Sequence, residues 1–196
     1  MSERPEVVWL VHGAGASPLS FSYFRPAFEA AFDVGAFEYS SEEGVLAAAA
    51  RLSEQIEKEQ RPVAIVGHSL GGLVAGALTA SPLVRKIVTM STPFGGLSYA
   101  SVLSLWRSET IFKDLSVYGN TLGLVRNTLD AHRKPHLAVV TTYGGLPLLS
   151  GENNDGVVTE ATQMALDDAT IMSVRCNHFE VLLAPSVRDA IIEFLN

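Results

Sequence analysis

The residues whose types and spacing are most typical of catalysis lie at positions 67–72, where the chain reads Gly-His-Ser-Leu-Gly-Gly. An apolar run at 63–66 precedes this segment, and small residues at 73–78 favour a helix after it. A Gly-x-Ser-x-Gly sequence between a strand and a helix is typical of a nucleophile elbow, a sharp turn that presents the serine at the edge of a sheet. The flanking glycines remove side chains that would collide as the strand and the helix approach each other. We therefore predict that Ser69 is a nucleophile in a strained backbone conformation.

A serine nucleophile needs a base, because its hydroxyl is poorly reactive at neutral pH, and the base needs a third group to hold it in one tautomer. His178 comes directly after the last predicted strand of the chain. The carboxyl ends of parallel strands meet at one edge of a sheet, so this histidine and Ser69 are expected at the same edge. We predict that His178 is the base. The alternative is a solvated histidine in a surface loop.

The acid that orients this base is assigned to Asp155, which follows the fifth predicted strand at the same sheet edge. Two alternatives stay open. The Asn-Asn-Asp-Gly sequence at 153–156 is also a common turn sequence in its own right. Asp167 and Asp168 are rival acids, but they lie on the approach to the sixth predicted strand and are therefore ranked lower.

Backbone N–H groups are expected to stabilise the negative charge that develops on a carbonyl oxygen during attack. The N–H of Leu70 begins the helix after the elbow. A second donor is expected from the glycine-rich loop at 12–17, where the N–H of Ala14 is the preferred group. The same loop could instead bind phosphate. Phosphate binding is disfavoured because the loop lacks the Gly-Lys-Ser/Thr ending and the full Gly-x-Gly-x-x-Gly spacing.

The remaining histidines and the single cysteine fit other roles. His12 ends the first predicted strand beside glycines and is expected to order the loop rather than to transfer protons. His68 occupies the variable position of the elbow, and the sequence assigns it no role. Cys176 is interpreted as a short residue at a strand end rather than as a nucleophile. His132 and His136 lack metal-ligand spacing to an acid or a cysteine, so we predict neither a metal nor a cofactor.

These residues are positioned by short β-branched runs that alternate with helical periodicity, a pattern that predicts a parallel sheet covered by helices on both faces. We predict one α/β domain over residues 1–196, with a mostly parallel sheet of six strands and right-handed crossovers. The predicted strands are residues 7–11, 34–39, 63–66, 87–90, 136–143 and 170–176.

The segment from Leu97 to Lys134 does not fit the alternation, because it separates two predicted strands without containing one. A plain crossover needs only about a dozen residues, so 97–134 is an insertion with room for two or three helices. Two interpretations stay open. The insertion is an ordinary packed helical layer, or it is a cap or lid over the site, with an apolar inner face that admits an acyl or aromatic group.

The composition limits the partners and the compartment. Apolar residues make up 47% of the 196 residues, and the net charge of −7 argues against nucleic acid or an anionic membrane surface as the main partner. One cysteine allows no internal disulfide. The sequence has no apolar run near the ~20 residues that span a bilayer and no signal-peptide layout, so we expect a cytoplasmic protein with a small-molecule substrate. The oligomeric state is not predicted.

The chain resembles the α/β-hydrolases, and within them the small lipases and esterases. The resemblance is carried by the elbow at 67–72, the loop at 12–15, the acid segment at 154–158, His178, and the Ser-Thr-Pro-Phe-Gly-Gly run at 91–96. The order nucleophile, acid, base is the order of that family.

The resemblance implies hydrolysis of a carboxylic ester or thioester through an acyl-enzyme, without a cofactor. A thioesterase or acyltransferase with the same three residues is the alternative, and a catalytically silent protein that binds an apolar ligand is another. The chain departs from larger members, because the antiparallel strands that open their sheets are missing and residues 39–43 fit no pattern.

Overall fold

The computed structural model describes residues 5–97, 108–144 and 153–196. Two predictions fall partly outside these residues: the first part of the insertion, at 98–107, and the N-terminal residues 1–4 on which the expected lack of a signal peptide rests.

Six parallel strands form one sheet in the order β2-β1-β3-β4-β5-β6, and helices cover both of its faces. The prediction of a six-stranded α/β sheet is therefore confirmed, and all of its strand pairs are parallel. The strands are β1 (Val7–Val11), β2 (Asp33–Phe37), β3 (Val63–His68), β4 (Val84–Met90), β5 (His136–Thr141) and β6 (Thr170–Val174).

The helices lie between the strands, as the alternation in the sequence predicts. They are α1 (Arg25–Glu29), α2 (Val45–Glu59), α3 (Leu70–Ala77), α4 (Glu109–Leu115), α5 (Asn120–Ala131), α6 (Glu160–Gln163) and α7 (Pro185–Leu195). Short 3-10 turns occur at Pro18–Phe21, Ser41–Glu43 and Glu180–Leu183.

The central strands are buried on both faces because their sequences are almost continuously apolar. Alternate side chains of a strand point to opposite faces and enter different cores. From β1, Trp9 enters the core that contains α2, α3 and α5, whereas Leu10 enters the core that contains α1 and α7. The sheet is thus held between two apolar layers, and its carboxyl edge is left to the loops.

Several strand boundaries differ from the predicted ones. β4 begins at Val84 rather than Ile87, because two charged residues conceal its first part in the sequence. One of them, Lys86, donates from Nζ to the carbonyl of Phe194 at 2.8 Å, at the C-terminus of α7. β2, β5 and β6 end about two residues earlier than predicted, because the chain leaves the sheet there to form the loops at its carboxyl edge.

The described part of the insertion contains two helices that pack against the rest of the fold. α5 lies directly on α3, since a Cβ added at Gly76 would be 2.9 Å from Val125 Cγ1. α4 is tied to the start of α2 by Asp114, whose Oδ2 accepts the amide of Val45 at 2.7 Å. Asp114 thereby supplies the N-terminal cap that Gly44 lacks. A cap or lid role for residues 97–134 stays a prediction.

Candidate active site

Ser69 lies in the sharp turn between β3 and α3, with φ 53° and ψ −120°. Residues other than glycine rarely adopt this left-handed region, and holding one there costs about 1–3 kcal/mol. The turn is held by hydrogen bonds on both sides: the Ser69 amide donates to the Met90 carbonyl at 2.8 Å, and the Ser69 carbonyl accepts from the Gly72 amide at 3.0 Å. The backbone at Ser69 therefore has the strained geometry of a nucleophile elbow.

The glycines around Ser69 are required by contact between backbones. A Cβ added at Gly67 would be 2.4 Å from the carbonyl oxygen of Gly71, and one added at Gly71 would be 2.2 Å from the carbonyl oxygen of Val11. Neither obstacle is a flexible side chain that could move aside. The strand and helix can close on the elbow only because both positions carry hydrogen.

His178 and Asp155 form a buried pair beyond the carboxyl ends of β6 and β5. His178 Nδ1 lies 2.8 Å from Asp155 Oδ2, and the side chains of both residues are at most 2% exposed. The backbone amide of His178 also donates to the carbonyl of Asp155 at 2.9 Å. Because a carboxylate accepts, Nδ1 carries the proton, and the neutral ring keeps a lone pair on Nε2. That lone pair is what a general base needs.

The Asp155 carboxylate is surrounded by donors. Oδ1 accepts the amides of Val157 and Val158 at 2.9 and 2.7 Å, and Oδ2 also accepts the hydroxyl of Thr141 at 2.6 Å. Burial alone would raise the pKa of Asp155, but the hydrogen bond and charge of His178, with the bonds from Thr141 and Val158, together lower it below its usual value. The carboxylate is therefore ionised at neutral pH and faces the ring of His178 as an anion.

Residues 153–156 form a turn, and the same turn places Asp155 against His178. Gly156 has φ 94°, and its amide donates to Asn154 Oδ1 at 3.0 Å, so the segment is a turn. That turn points the next two amides at the carboxylate of Asp155. The rivals Asp167 and Asp168 are exposed at the opposite end of β6, where Asp168 pairs with Arg133 at 3.0 Å.

The structure does not join Ser69 to His178 by a hydrogen bond, within residues 5–97, 108–144 and 153–196. The two are linked instead through His68, whose Nε2 lies 2.8 Å from the carbonyl oxygen of His178. The rings of His68 and His178 are 4.9 Å apart. Bonds between nucleophile and base are often long before substrate binds, so this geometry is compatible with the predicted roles.

The loop after β1 passes directly against the elbow. A Cβ added at Gly13 would be 3.1 Å from Ser69 Cβ. Among the described residues, the amide of the next residue, Ala14, has no acceptor, and neither has the amide of Leu70 at the start of α3. The role of these two amides as oxyanion donors stays a prediction.

The segment that fits no sequence pattern turns out to support this loop. The ring of Tyr39 stacks on His12 at 4.6 Å, and its hydroxyl donates to the His12 carbonyl at 2.9 Å. The hydroxyl of Ser41 accepts the amide of Gly15 at 3.0 Å. His12 itself donates from Nδ1 to the Gly13 carbonyl at 2.8 Å, so it orders the loop as predicted. The Ser-x-x-Glu capping box at 40–43 is the one local signal that marked this segment as structured.

Thr141 is a second residue that motif analysis missed. It lies at the end of β5, donates to Asp155, and contacts Ser91 Oγ at 2.8 Å through its own hydroxyl. The side chain of Gln163 holds the Thr141 backbone at both its amide and its carbonyl, at 2.9 and 2.8 Å. A threonine after a run of four apolar residues in a strand was the available signal, since buried hydroxyls are normally hydrogen-bonded.

Within the described ranges, no group of three or more His, Cys, Asp or Glu side chains is arranged to hold a metal ion. No helix in those ranges combines the length and the apolar character that a bilayer span requires.

Comparison with known proteins places this geometry in a family. The structure is similar to the mature form of the lipase BlEst2 from Bacillus licheniformis, with a TM-score of 0.73 at 18% identity over 100% of this chain and 94% of that one. It is also similar to a monoacylglycerol lipase from Paleococcus ferrophilus, with a TM-score of 0.69 at 19% identity over 98% of this chain and 95% of that one.

A third similar structure is the enol-lactonase from Burkholderia xenovorans LB400, with a TM-score of 0.71 at 13% identity over 97% of this chain and 91% of that one. At these identities the likeness shows the fold alone. A search of curated proteins gave no match. The sequence model of the alpha/beta hydrolase family matches residues 10–132, which is more than half of the chain. The chain therefore belongs to the alpha/beta hydrolase family.

Proposed function

We propose that the protein is a serine hydrolase that cleaves carboxylic esters of the lipase and esterase type through an acyl-enzyme. Ser69 is the nucleophile, His178 the general base, and Asp155 the group that orients the base. The observation that carries the proposal is the buried His178–Asp155 pair, 2.8 Å between Nδ1 and Oδ2, held beside the strained Ser69 turn.

The first half of the reaction forms the acyl-enzyme. Ser69 Oγ attacks the ester carbonyl carbon while His178 Nε2 takes the hydroxyl proton. The carbonyl oxygen becomes an oxyanion, which the N–H groups of Ala14 and Leu70 stabilise. The ionised carboxylate of Asp155 stabilises the imidazolium. When the intermediate collapses, the bond to the alkoxide breaks, and the alkoxide leaves as an alcohol with the proton from His178.

The second half returns the enzyme to its starting state. His178 Nε2 takes a proton from water as the water oxygen attacks the acyl carbon. The same two N–H groups hold the second oxyanion. Collapse breaks the bond to Ser69 Oγ, which recovers its proton from His178, and the acid is released. Each transfer is made by a side chain of this chain, so the cycle needs no cofactor.

An apolar acyl substrate is supported by the surface near the base. Phe179 is 65% exposed, and its ring packs edge-on against the ring of His178 at 5.2 Å. Leu19, in the 3-10 turn that follows β1, is also 79% exposed. Apolar side chains left in contact with water beside a reactive group favour an apolar ligand. The three similar structures are named as lipases and an enol-lactonase, which suits the same substrate class.

The test is turnover of p-nitrophenyl esters of graded acyl length by the wild-type protein and by Ser69→Ala. We expect Ser69→Ala to lose at least about a thousandfold in kcat, because loss of the nucleophile removes the covalent route. Ser53→Ala, at a half-buried position in the middle of α2, is the matched control and is expected to keep the wild-type rate. Equal rates for Ser69→Ala and the wild type would reject the proposal.

Product analysis in the same experiment identifies the reaction. Release of free acid in the presence of an added alcohol supports hydrolysis. Preferential ester exchange would show an acyltransferase, and preference for acyl thioesters over matched esters would show a thioesterase.

A further inference from the structure

His68 is the variable residue of the elbow, and it contacts the segment that carries the base. Its side chain is buried, at 3% exposure, and Nε2 lies 2.8 Å from the backbone carbonyl oxygen of His178. A carbonyl oxygen can only accept, so Nε2 carries the proton and donates it to this bond. In a neutral ring, Nδ1 is then left as an acceptor.

The other ring nitrogen makes no compensating bond. Nδ1 of His68 is buried and has no hydrogen-bond partner in the part of the chain that the structure describes. It faces the loop after β1, where a Cβ added at Gly13 would lie 3.0 Å away. A buried polar atom without a partner is unfavourable, so an apolar side chain would serve packing better at this position. What the imidazole supplies is its single hydrogen bond to His178.

That bond connects the segment of His178 to the elbow. The other two hydrogen bonds of His178, from its amide and from Nδ1, both go to Asp155. Within the described residues, the bond from His68 is the hydrogen bond that joins His178 to the elbow. Because His68 and Ser69 are consecutive, a bond to one sets the position of the base relative to the other.

We infer that His68 is a positioning residue, whose Nε2–H holds the backbone of His178 beside the elbow so that its ring can reach Ser69 Oγ when substrate binds. This inference rests on the proposed function. His68 is not itself a base, since Nε2 is occupied as a donor and Nδ1 is enclosed against Gly13. Burial, with the neighbouring charge of His178, lowers the pKa of His68 to about 3, so the ring stays a neutral donor at working pH.

The test compares His68→Leu with His68→Gln. Leucine fills a similar volume without a donor, whereas the terminal amide of glutamine can place an N–H near the position of imidazole Nε2. A misplacement of about 1 Å between reacting groups can cost about a hundredfold in rate. We expect His68→Leu to lose about 10- to 100-fold in kcat with KM within about twofold, and His68→Gln to recover most of that loss.

His136→Leu is the matched control for a loss of stability. His136 is also a buried histidine, and its Nε2 contacts Thr89 Oγ1 at 2.9 Å, at the far end of the sheet from Ser69. We expect this variant to be destabilised like His68→Leu while keeping the wild-type kcat. A similar fall in kcat in His68→Leu and in His136→Leu would mean that a general loss of stability, and not the position of His178, explains the effect.

Crystal structures of the two His68 variants provide a readout that does not depend on activity. The inference predicts that the His178 backbone moves away from Ser69 in His68→Leu and stays in place in His68→Gln. An unmoved His178 in His68→Leu, or equal kcat in both variants, would overturn it. Failure of the proposed function is distinguished by Ser69→Ala, which would then match the wild-type rate whatever the His68 variants do.

Discussion

His178 binds Asp155 twice, once from its ring and once from its backbone: Nδ1 lies 2.8 Å from Oδ2, and the amide nitrogen lies 2.9 Å from the carbonyl oxygen. With the backbone bond alone, the imidazole ring of His178 could still rotate, and with the ring bond alone, the backbone of His178 could still shift. Two bonds fix both the position of the backbone and the plane of the imidazole. Asp155 therefore fixes which nitrogen of His178 is protonated and where the lone pair of Nε2 points.

Asp155→Asn should test whether the carboxylate of Asp155 sets the tautomer of His178, because asparagine has nearly the same size but no charge. All the groups around the carboxylate are donors, so an amide NH2 placed there meets at least one of them and favours the wrong tautomer of His178. We expect kcat to fall by about 10³- to 10⁴-fold. Steady-state kinetics on a p-nitrophenyl ester measures the change. Asp168→Asn, at the opposite end of β6, is the control and should be unaffected. A loss of less than tenfold in Asp155→Asn would exclude it as the acid.

Ser41→Ala should make the loop at residues 12–17 less rigid, although Ser41 itself is not proposed to contact substrate. The hydroxyl of Ser41 accepts the amide of Gly15, next to the proposed donor Ala14. Losing an oxyanion donor outright costs about 10²- to 10³-fold, and loosening its loop should cost less, so we expect kcat to fall by about tenfold. KM should change little. Ser53→Ala serves as the control. Wild-type kcat in Ser41→Ala would show that the loop does not depend on this bond.

Two glycine substitutions should change stability in opposite directions. Gly71→Ala drives a Cβ to 2.2 Å from a backbone oxygen, so we expect a loss of about 3 kcal/mol or more in the free energy of unfolding. Gly123→Ala in α5 meets nothing within 4 Å and should gain about 0.5–1 kcal/mol, because alanine favours helix. Urea unfolding measures both. Similar effects of the two substitutions would contradict the packing described for the elbow.

Stability should fall as the pH falls from about 6.5 to about 4. Burial lowers the pKa of His136 to about 4 and that of His68 to about 3, whereas both rings titrate near 6.5 when unfolded. The unfolded state therefore binds more protons throughout this window. Each ring contributes a loss of up to about 1.4 kcal/mol per pH unit. This contribution to stability is complete above the unfolded pKa.

Urea unfolding at pH 7, 6 and 5 tests this dependence. His136→Leu removes one of the two titrations and should show a shallower fall between pH 6 and 5. A free energy of unfolding that is constant from pH 7 to pH 5 in the wild-type protein would show that these rings are not buried in the neutral form.

The features that the sequence predicted are those that depend on local patterns. The elbow at 67–72 can be recognised in the sequence because the strand, the glycines and the helix are consecutive. Asp155 and His178 could be chosen because each comes after a predicted strand, and a parallel sheet places the carboxyl ends of its strands at one edge. The family resemblance and the sheet were recognisable for the same reason.

The supporting residues could not be predicted, because their partners are distant in the chain. Ser41 acts on Gly15, and His68 acts on His178, without any periodicity that relates the two positions. The predicted β4 was too short because the side chain of Lys86 is charged. Only the contact of Lys86 with the end of α7 explains a lysine at that place in the sheet. Such pairings follow from the closed fold rather than from any one segment.

The role of Ser69 as nucleophile is tested by covalent labelling with a fluorophosphonate, followed by mass spectrometry of the digested protein. An activated serine oxygen attacks the phosphorus atom and displaces fluoride, so the O–P adduct reports the reactivity of the hydroxyl without assuming a substrate. If Ser69 is the activated nucleophile, we expect one adduct per chain, on the peptide that contains Ser69, and none in Ser69→Ala. An adduct on another residue, or equal labelling of Ser69→Ala, would contradict that role.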